Sequence, residues 1–126
     1  MELESAQVVL GVGMGIESPD NLPLITNLAH AIGAGLGATR PVTDAGWLPK
    51  QIQIGLTGKV IAPDVYIAIG IRGIFNHTVG IQRTRIIIAI NNNPKSPIFK
   101  SSDFGIVGDW KIYLPPLIEA LKPLIL

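Results

Sequence analysis

Residues 66–80 read YIAIGIRGIFNHTVG, an apolar run that meets two closely spaced glycines and continues into a segment that carries a histidine. The run up to Ile71 is rich in β-branched residues and does not alternate, which is typical of a strand covered on both faces in a parallel sheet. Gly70 has no Cβ, so the backbone there can approach a ligand closely. The next residues predict a helix start, whose free N–H groups attract phosphate. Arg72 and His77 thus lie beside a nucleotide, or they belong to an ordinary strand-to-helix turn.

Similar apolar runs elsewhere in the chain predict further strands, with helical segments between them. The predicted strands are 8–10, 65–71, 86–90 and 104–107. A first helix is predicted from an apolar stripe, a cap at Asp20 or Asn21 with Pro23 in the first turn, and a stop at Gly33 and Gly35; the stripe is Leu24, Ile25, Leu28, Ala29 and Ile32. A second is predicted over 113–124, with Pro115 and Pro116 in its first turn. This order predicts an α/β fold, a doubly wound parallel sheet of Rossmann-like, nucleotide-binding type with helices on both faces.

The composition limits the class of protein. The chain has 126 residues, of which 48% are hydrophobic and 15% charged, and this predicts one globular domain over 1–126. It has no Cys and a formal net charge of +1, so we expect neither a disulfide framework nor an electrostatic grip on nucleic acid. No apolar run reaches the length of a membrane span, and the start MELESAQ lacks the features of a secretory signal. We therefore expect a cytoplasmic location.

Other motifs are weaker when taken alone. GVGMG at 11–15 follows a predicted strand but lacks the full dinucleotide spacing, and GLTGK at 55–59 is only half of a phosphate loop. His30 has no partner at metal-ligand spacing, so no metal site is predicted. No nucleophile–base pair can be named either, so we predict no catalytic residue. Residues 43–64 lack clear periodicity, and such long irregular segments are usually functional or disordered; their glycines and apolar residues favour an ordered, functional loop.

Four longer stretches together resemble one family. GATRPVTDAGWLP (37–49), the segment from QIQIGLTGK to NHTVG (51–80), RIIIAINNNPKSPIF (85–99) and SDFGIVGDW (102–110) are similar, in order and spacing, to the FAD-binding C-terminal domain of the electron-transfer flavoprotein alpha subunit. The likeness extends over about residues 6–121. It implies an FAD-carrying domain that acts as an electron carrier rather than a substrate-converting enzyme.

The resemblance also implies which residues contact FAD. Thr39 and Arg40 match a pair near the flavin ring, and Thr57 matches a threonine near the flavin N5. Asn91 and Asp109 match residues of the adenosine half. The turn ending at His77 matches the segment that holds the pyrophosphate and places a histidine near the flavin O2. The full set of cofactor-binding residues expected in this way is Thr39, Arg40, Ile54, Gly55, Leu56, Thr57, Arg72, Gly73, Ile74, Phe75, Asn76, His77, Asn91 and Asp109.

The flavin has more negative charge on its N1–C2=O edge when reduced, and Arg40 and His77 are expected to supply the positive field there. The sequence departs from the family at four positions. Met14 stands where an arginine is expected and Leu56 where the family commonly has glutamine. Asn76 and Arg72 stand where the family usually has glutamine and serine. Two functions stay open. One is an electron carrier between a dehydrogenase and an acceptor; the other is a non-redox module that holds FAD, AMP or ADP.

The expected partners are redox proteins and either a beta-type subunit or a second copy in a homodimer. The family's N-terminal domain is not part of this sequence, so the chain is either a fragment or a stand-alone form. An exposed apolar face is expected around Trp47, Leu48 and Ile52, because this loop is apolar and the family's companion domain is absent from the sequence. Such a patch is commonly covered by another chain, which is the reason for expecting one of these two partners.

Overall fold

The computed structural model describes residues 2–125. Over this range an entirely parallel, five-stranded sheet is accompanied by four α-helices and several short 3-10 turns. None of the helices described has both the length and the apolar character that a bilayer crossing requires. The elements are β1 (Val8–Val12), α1 (Leu22–Ala31), β2 (Gly35–Ala38), α2 (Arg40–Asp44), β3 (Val65–Ile69), α3 (Phe75–Thr78), β4 (Ile86–Asn91), β5 (Phe104–Val107) and α4 (Trp110–Ile125).

The strand order is β2-β1-β3-β4-β5. β2 thus lies on one side of β1, and β3, β4 and β5 follow in sequence on the other side. The loops that follow β1 and β3 therefore part at a topological switch point, where α/β sheets bind ligands. Here the two loops touch backbone to backbone. The Gly13 N–H donates to the Ile69 carbonyl at 2.9 Å, and the Gly15 N–H donates to the Gly70 carbonyl at 2.9 Å.

The two faces of the sheet carry separate apolar clusters. On one face α1 and α4 pack against β1 and β3 through side chains such as Ile25 and Ile118, which are fully buried. The other face is covered by loops and short helical turns, which contribute Leu3, Ile54, Ile61, Ile81 and Ile98. Alternate residues of β1 and β3 enter opposite clusters, as the pleat of a strand requires. The predicted α/β fold is confirmed, although the second face has no long helix among the described residues.

The sequence prediction missed β2. Its residues, GLGA, include no β-branched side chain, and Gly35 was expected to stop the preceding helix instead. Of the two glycines expected to stop this helix, only Gly33 has the left-handed conformation, with φ +64°, just after the end of α1. β2 forms because its backbone pairs with β1 in register from Gly35 to Ala38. β3 ends at Ile69, two residues earlier than expected.

Two features of the last third also differ. β5 is not a buried strand, because Phe104 at the edge of the sheet is 62% exposed. α4 begins at Trp110, so Pro115 and Pro116 lie inside the helix and the predicted first turn is wrong. The start is fixed because Asp109 Oδ1 accepts a hydrogen bond from the Lys111 backbone N–H at 3.0 Å, as an N-cap does. The residues at 111 and 112, whose carbonyls lose their usual partners at the prolines, are exposed to water.

Candidate functional site

A groove made of three adjoining cavities follows the carboxyl edge of the sheet. The central cavity, of about 380 Å³, lies between the loops after β1 and β3. It shares Thr39 and His77 with a cavity of about 170 Å³, which we call the Thr57 cavity. On its other side it shares Gly70 and Asn91 with a cavity of about 140 Å³, which we call the Asp109 cavity. The groove thus spans the switch point.

Arg72 is the exposed cation of the central cavity. Among residues 2–125 no carboxylate lies within salt-bridge distance of its guanidinium. Its backbone is fixed, because the Arg72 carbonyl accepts from the Ser96 hydroxyl at 2.9 Å and from the Ile98 N–H at 2.8 Å. A guanidinium without a carboxylate partner, held beside exposed glycine backbone, is suited to bind an anion.

The expected helix N-terminus is absent from this turn. α3 begins only at Phe75 and has four residues, so it is a single turn with little macrodipole. Residues 70–74 instead form a loop that is pinned to the segment after β4. Gly73 has φ +87°, and a Cβ there would lie 2.3 Å from the Ile98 Cα atom. The prediction that a helix begins directly after Gly70 is therefore wrong, because a loop precedes the single turn that starts at Phe75.

Two loops build the Thr57 cavity and are hydrogen bonded to each other. The Leu56 N–H donates to the Asn76 carbonyl at 2.7 Å. Gly55, at φ +132°, lies so close that a Cβ would stand 2.1 Å from the same carbonyl oxygen. The loop ending at Thr57 and the turn carrying His77 are therefore one connected unit, and both line this cavity.

His77 is buried and both of its ring nitrogens are in use. Its Nδ1–H donates to the Ile54 carbonyl at 3.1 Å, and its Nε2 accepts from the Tyr66 hydroxyl at 2.8 Å. Burial lowers the pKa of His77 to about 4, even though the carbonyl of Ile54 favours the charged form. Burial also raises the pKa of Tyr66, so its hydroxyl keeps the proton that it donates. At neutral pH His77 is uncharged, in contrast to the expected source of positive field.

Arg40 lies at the mouth of the Thr57 cavity and has a carboxylate partner. Its Nε is 3.3 Å from Asp44 Oδ2, and Lys50 Nζ is 3.5 Å from Asp44 Oδ1. The side chains of Arg40 and Asp44 are 58% and 48% exposed. Exposed pairs of this kind contribute little stability, so Arg40 can leave Asp44 at low cost. The cluster retains a surplus of one positive charge.

A second buried chain of hydrogen bonds ends at Thr57, in the wall of the Thr57 cavity. Thr43 and Gln53 are each 5% exposed. The Thr43 hydroxyl is hydrogen bonded to Gln53 Oε1 and lies 3.0 Å from the Arg40 carbonyl oxygen. Gln53 Nε2 donates to Thr57 Oγ1 at 2.8 Å. Thr57 itself is exposed at the cavity wall, so its hydroxyl is held from one side and open on the other.

The Asp109 cavity combines two carboxylates, amides and an aromatic ring, from Asp109, Glu17, Asn92 and Trp110 among others. Asn91, which was expected to contact the ligand, uses its side chain within the protein. Its Nδ2 donates to the Ile71 carbonyl at 3.0 Å and its Oδ1 accepts from the Asn93 N–H at 2.8 Å. Asn91 thus fixes the loop after β3 and contributes to the cavity as a scaffold.

The structure brings most of the predicted residues to the groove. Those that line it are Thr39, Arg40, Ile54, Thr57, Arg72, Gly73, Ile74, Asn76, His77, Asn91 and Asp109. Gly55, Leu56 and Phe75 line none of the three cavities. Leu56 and Phe75 are 61% and 62% exposed beside the Thr57 cavity and form an apolar rim with Ile74.

The apolar face expected around Trp47, Leu48 and Ile52 is different in the structure. All three side chains are half-buried, because they pack against the two core clusters. Leu48 and Ile52 line a surface cavity together with Leu36, whereas Leu56, Ile74 and Phe75 at the groove are more exposed.

Sequence reasoning missed several residues that build the site. Tyr66 reads as one more apolar residue of a buried strand, and Gln53 as part of an irregular loop. Ser96 belongs to a stretch that reads as a plain polar turn. Trp110 follows a Gly-Asp pair after the last strand, and this position at the carboxyl edge is the one signal that could have identified it.

Comparison with known proteins agrees over nearly the whole chain. The family described as "Electron transfer flavoprotein FAD-binding domain" matches residues 2–82. A mitochondrial protein of Caenorhabditis elegans, named "Probable electron transfer flavoprotein subunit alpha", is 45% identical over 95% of this chain and 36% of its own length. The electron transfer flavoprotein subunit alpha of Thermoanaerobacterium thermosaccharolyticum is 44% identical over 98% of this chain and 38% of its own length. The mitochondrial electron transfer flavoprotein subunit alpha of Arabidopsis thaliana is 41% identical over 95% of this chain and 33% of its own length. The chain thus spans about a third of the length of these relatives, between 33% and 38%.

Proposed function

This chain belongs to the electron transfer flavoprotein FAD-binding family, and we propose that it holds FAD in its groove and serves as an electron carrier. The observation that carries this proposal is the continuity of the three cavities across the switch point. FAD is a long ligand with a planar ring, a diphosphate and an adenosine. A groove with three chemically different sections fits it. When bound, FAD supplies the ring that accepts and gives up electrons.

The Thr57 cavity is the proposed seat of the flavin ring. Ile54 and Ile74 give it apolar walls, and the Thr57 hydroxyl offers one polar group whose other contact is already fixed by Gln53. Arg40 stands at its mouth and can turn from Asp44 toward the ring. A mostly apolar cavity with a few fixed polar groups is typical of cofactor sites.

The central cavity is the proposed seat of the diphosphate. The free guanidinium of Arg72 and the glycine backbones of both loops line it. Within residues 2–125, no acidic residue lines this cavity. An anion here meets a positive charge without competition, and this supports the fit of the residues to the ligand.

The adenosine is proposed to lie in the Asp109 cavity. Asp109 Oδ1 is committed to the helix cap, so its second oxygen is the one proposed to accept from a ribose hydroxyl. Trp110 also lines this cavity, and its aromatic ring is proposed to contact the base.

A beta-type subunit is the proposed partner, with redox proteins as its donor and acceptor. The apolar rim of Leu56, Ile74 and Phe75 lies directly beside the proposed ring end. A partner chain there would cover the exposed apolar surface and bring its own groups close to the ring.

One observation favours the second function, a nucleotide-holding module without a redox role. His77 is neutral with both nitrogens occupied, and Arg40 is paired with Asp44, so the positive field at the ring end is weaker than the electron-carrier reading expects. A purified protein whose bound FAD takes up electrons from a dehydrogenase and passes them to an acceptor protein supports the carrier. Protein that co-purifies only with AMP or ADP, identified by mass spectrometry, supports the module.

The test of the groove uses Arg72→Ser with Arg83→Ser as its control. Arg83 is exposed and precedes β4, at the opposite edge of the sheet. If the guanidinium binds the diphosphate, Arg72→Ser should cost about 1.5–3 kcal/mol, or roughly 10- to 150-fold in the dissociation constant for FAD. Arg83→Ser should leave the constant unchanged. Equal affinity of both variants and the unmodified protein would remove the diphosphate from this cavity.

A further inference from the structure

The Thr43–Gln53–Thr57 chain of hydrogen bonds has two self-consistent arrangements. The Thr43 hydroxyl has one hydrogen and two acceptors in reach, Gln53 Oε1 and the Arg40 carbonyl oxygen. If the hydrogen goes to Gln53 Oε1, the Gln53 amide must donate to Thr57 Oγ1, as the structure has it. The Thr57 hydrogen then points away from Gln53.

The other arrangement reverses each bond. If the Thr43 hydrogen goes to the Arg40 carbonyl, the Thr43 oxygen is free to accept from the amide. The Gln53 side chain then turns by 180° about its last bond and places Oε1 toward Thr57. In this arrangement the Thr57 hydroxyl donates to Gln53, and only its lone pairs face the cavity. The amide side chain fits both arrangements because its oxygen and nitrogen ends have the same shape.

The surroundings hold Gln53 in place while leaving this choice open. Its backbone carbonyl accepts from the Lys59 N–H at 2.8 Å, and its N–H donates to the Lys50 carbonyl at 3.0 Å. Gly58 packs directly over it, where a Cβ would lie 3.2 Å from Gln53 Cγ. Gln53 does not line the Thr57 cavity, so any effect on a ligand has to pass through Thr57.

We infer that Gln53 is a positioning residue, whose amide orientation decides whether the Thr57 hydroxyl presents a hydrogen or a lone pair to the ligand in the cavity. This rests on the proposed function, in which the ligand is FAD. The ring of oxidised FAD offers four acceptor atoms and one N–H, at N3. Where one of the acceptors faces Thr57, the ring selects the arrangement seen here, with the Thr57 hydrogen turned into the cavity. A ligand that offers an N–H selects the other.

The main test is Gln53→Glu, with and without Thr57→Val, and the readout is the dissociation constant for oxidised FAD. A carboxylate at position 53 has no hydrogen, so Thr57 must donate to it and only lone pairs face the cavity. We expect a loss of affinity of about tenfold or more in the presence of Thr57, because a bond to a charged group has to be broken. With valine at position 57 the same change should have less than about a twofold effect.

A pH profile and two further variants complete the test. Acidification protonates the glutamate and restores a donor, so the affinity of Gln53→Glu should recover at low pH only where Thr57 is present. Gln51→Glu is the matched control, because Gln51 is an exposed glutamine two residues away; it should leave the affinity unchanged. If the glutamate variant fails to fold, Gln53→Met frees the hydroxyl among about three staggered positions, so about a threefold loss is expected, again only with Thr57.

The outcomes separate the two proposals. No binding of FAD by the unmodified protein would overturn the proposed function, and this inference with it. Binding by the unmodified protein, with equal losses from Gln53→Glu whether position 57 is threonine or valine, would overturn the inference alone. Unchanged affinity in both position-53 variants would do the same.

Discussion

A neutral, buried His77 makes the stability of the ligand-free protein depend on pH. The pKa of His77 is lowered from 6.5 to about 4 by burial. As the pH falls below about 6.5, the unfolded chain binds a proton at this histidine, and the folded protein does so only near pH 4. The stabilisation is therefore complete above about pH 6.5 and is lost as the pH falls toward 4. At roughly 1.4 kcal/mol for each pH unit, the full effect is about 3 kcal/mol.

The measurement is the free energy of unfolding by urea between about pH 4.5 and 7.5, for the unmodified protein and for His77→Gln. Glutamine can donate to the Ile54 carbonyl and accept from the Tyr66 hydroxyl, but it does not titrate. Its curve should lack most of the rise with pH. His30→Gln is the control, because His30 is exposed on α1 and should leave the slope intact.

Another titrating group also lies near this pH range. A side-chain hydrogen bond from Lys59 lowers the pKa of Glu4, but both proteins share this pair, so its effect cancels in the difference. Equal pH slopes in the unmodified protein and His77→Gln would refute the account of His77 as a buried neutral group.

Two further predictions concern the same region. Tyr66→Phe leaves the buried Nε2 of His77 without its donor, so unfolding measured by urea should become easier by about 1–3 kcal/mol; an unchanged midpoint would mean that water replaces the hydroxyl. Gly73→Ala should destabilise much more than Gly33→Ala, since both glycines have positive φ but only a Cβ at Gly73 meets backbone, 2.3 Å from the Ile98 Cα atom. Equal melting temperatures of the two alanine variants would contradict this.

The sequence located the parts of the fold that burial makes apolar. β3 and β4 were recognised because strands covered on both faces are rich in β-branched residues, and this composition is visible without knowing which strands they pair with. β2 escaped because GLGA carries no such signal; its conformation depends on hydrogen bonds with β1. The start of α4 was predicted too late because proline is common in the first turn of a helix, and the sequence has two prolines at 115 and 116. The true start depends on the cap at Asp109, which is a side-chain contact.

The candidate site was predictable in position and less so in chemistry. Arg72 and Thr57 could be placed at the groove because they follow buried strands or match a known family. The state of His77 could not, since it depends on Tyr66, whose ring crosses to the neighbouring strand. There a Cβ on Gly11 would lie 1.8 Å from the Tyr66 hydroxyl oxygen, so the space for the ring comes from a residue far away in the sequence.

The contact between the loops after β1 and β3 also restricts how this protein can change over evolutionary time. A Cβ on Gly13 would stand 2.3 Å from the Gly70 carbonyl oxygen, and one on Gly15 would stand 2.7 Å from the Gly70 Cα atom. The opposing atoms belong to the backbone, so no second side-chain substitution can remove them to make room. A mutation at any of the three glycines therefore has no compensating partner, and the loops must be inherited as a pair. Variation that adapts the groove to new ligands is left to the side chains that line it, such as Met14 and Arg72.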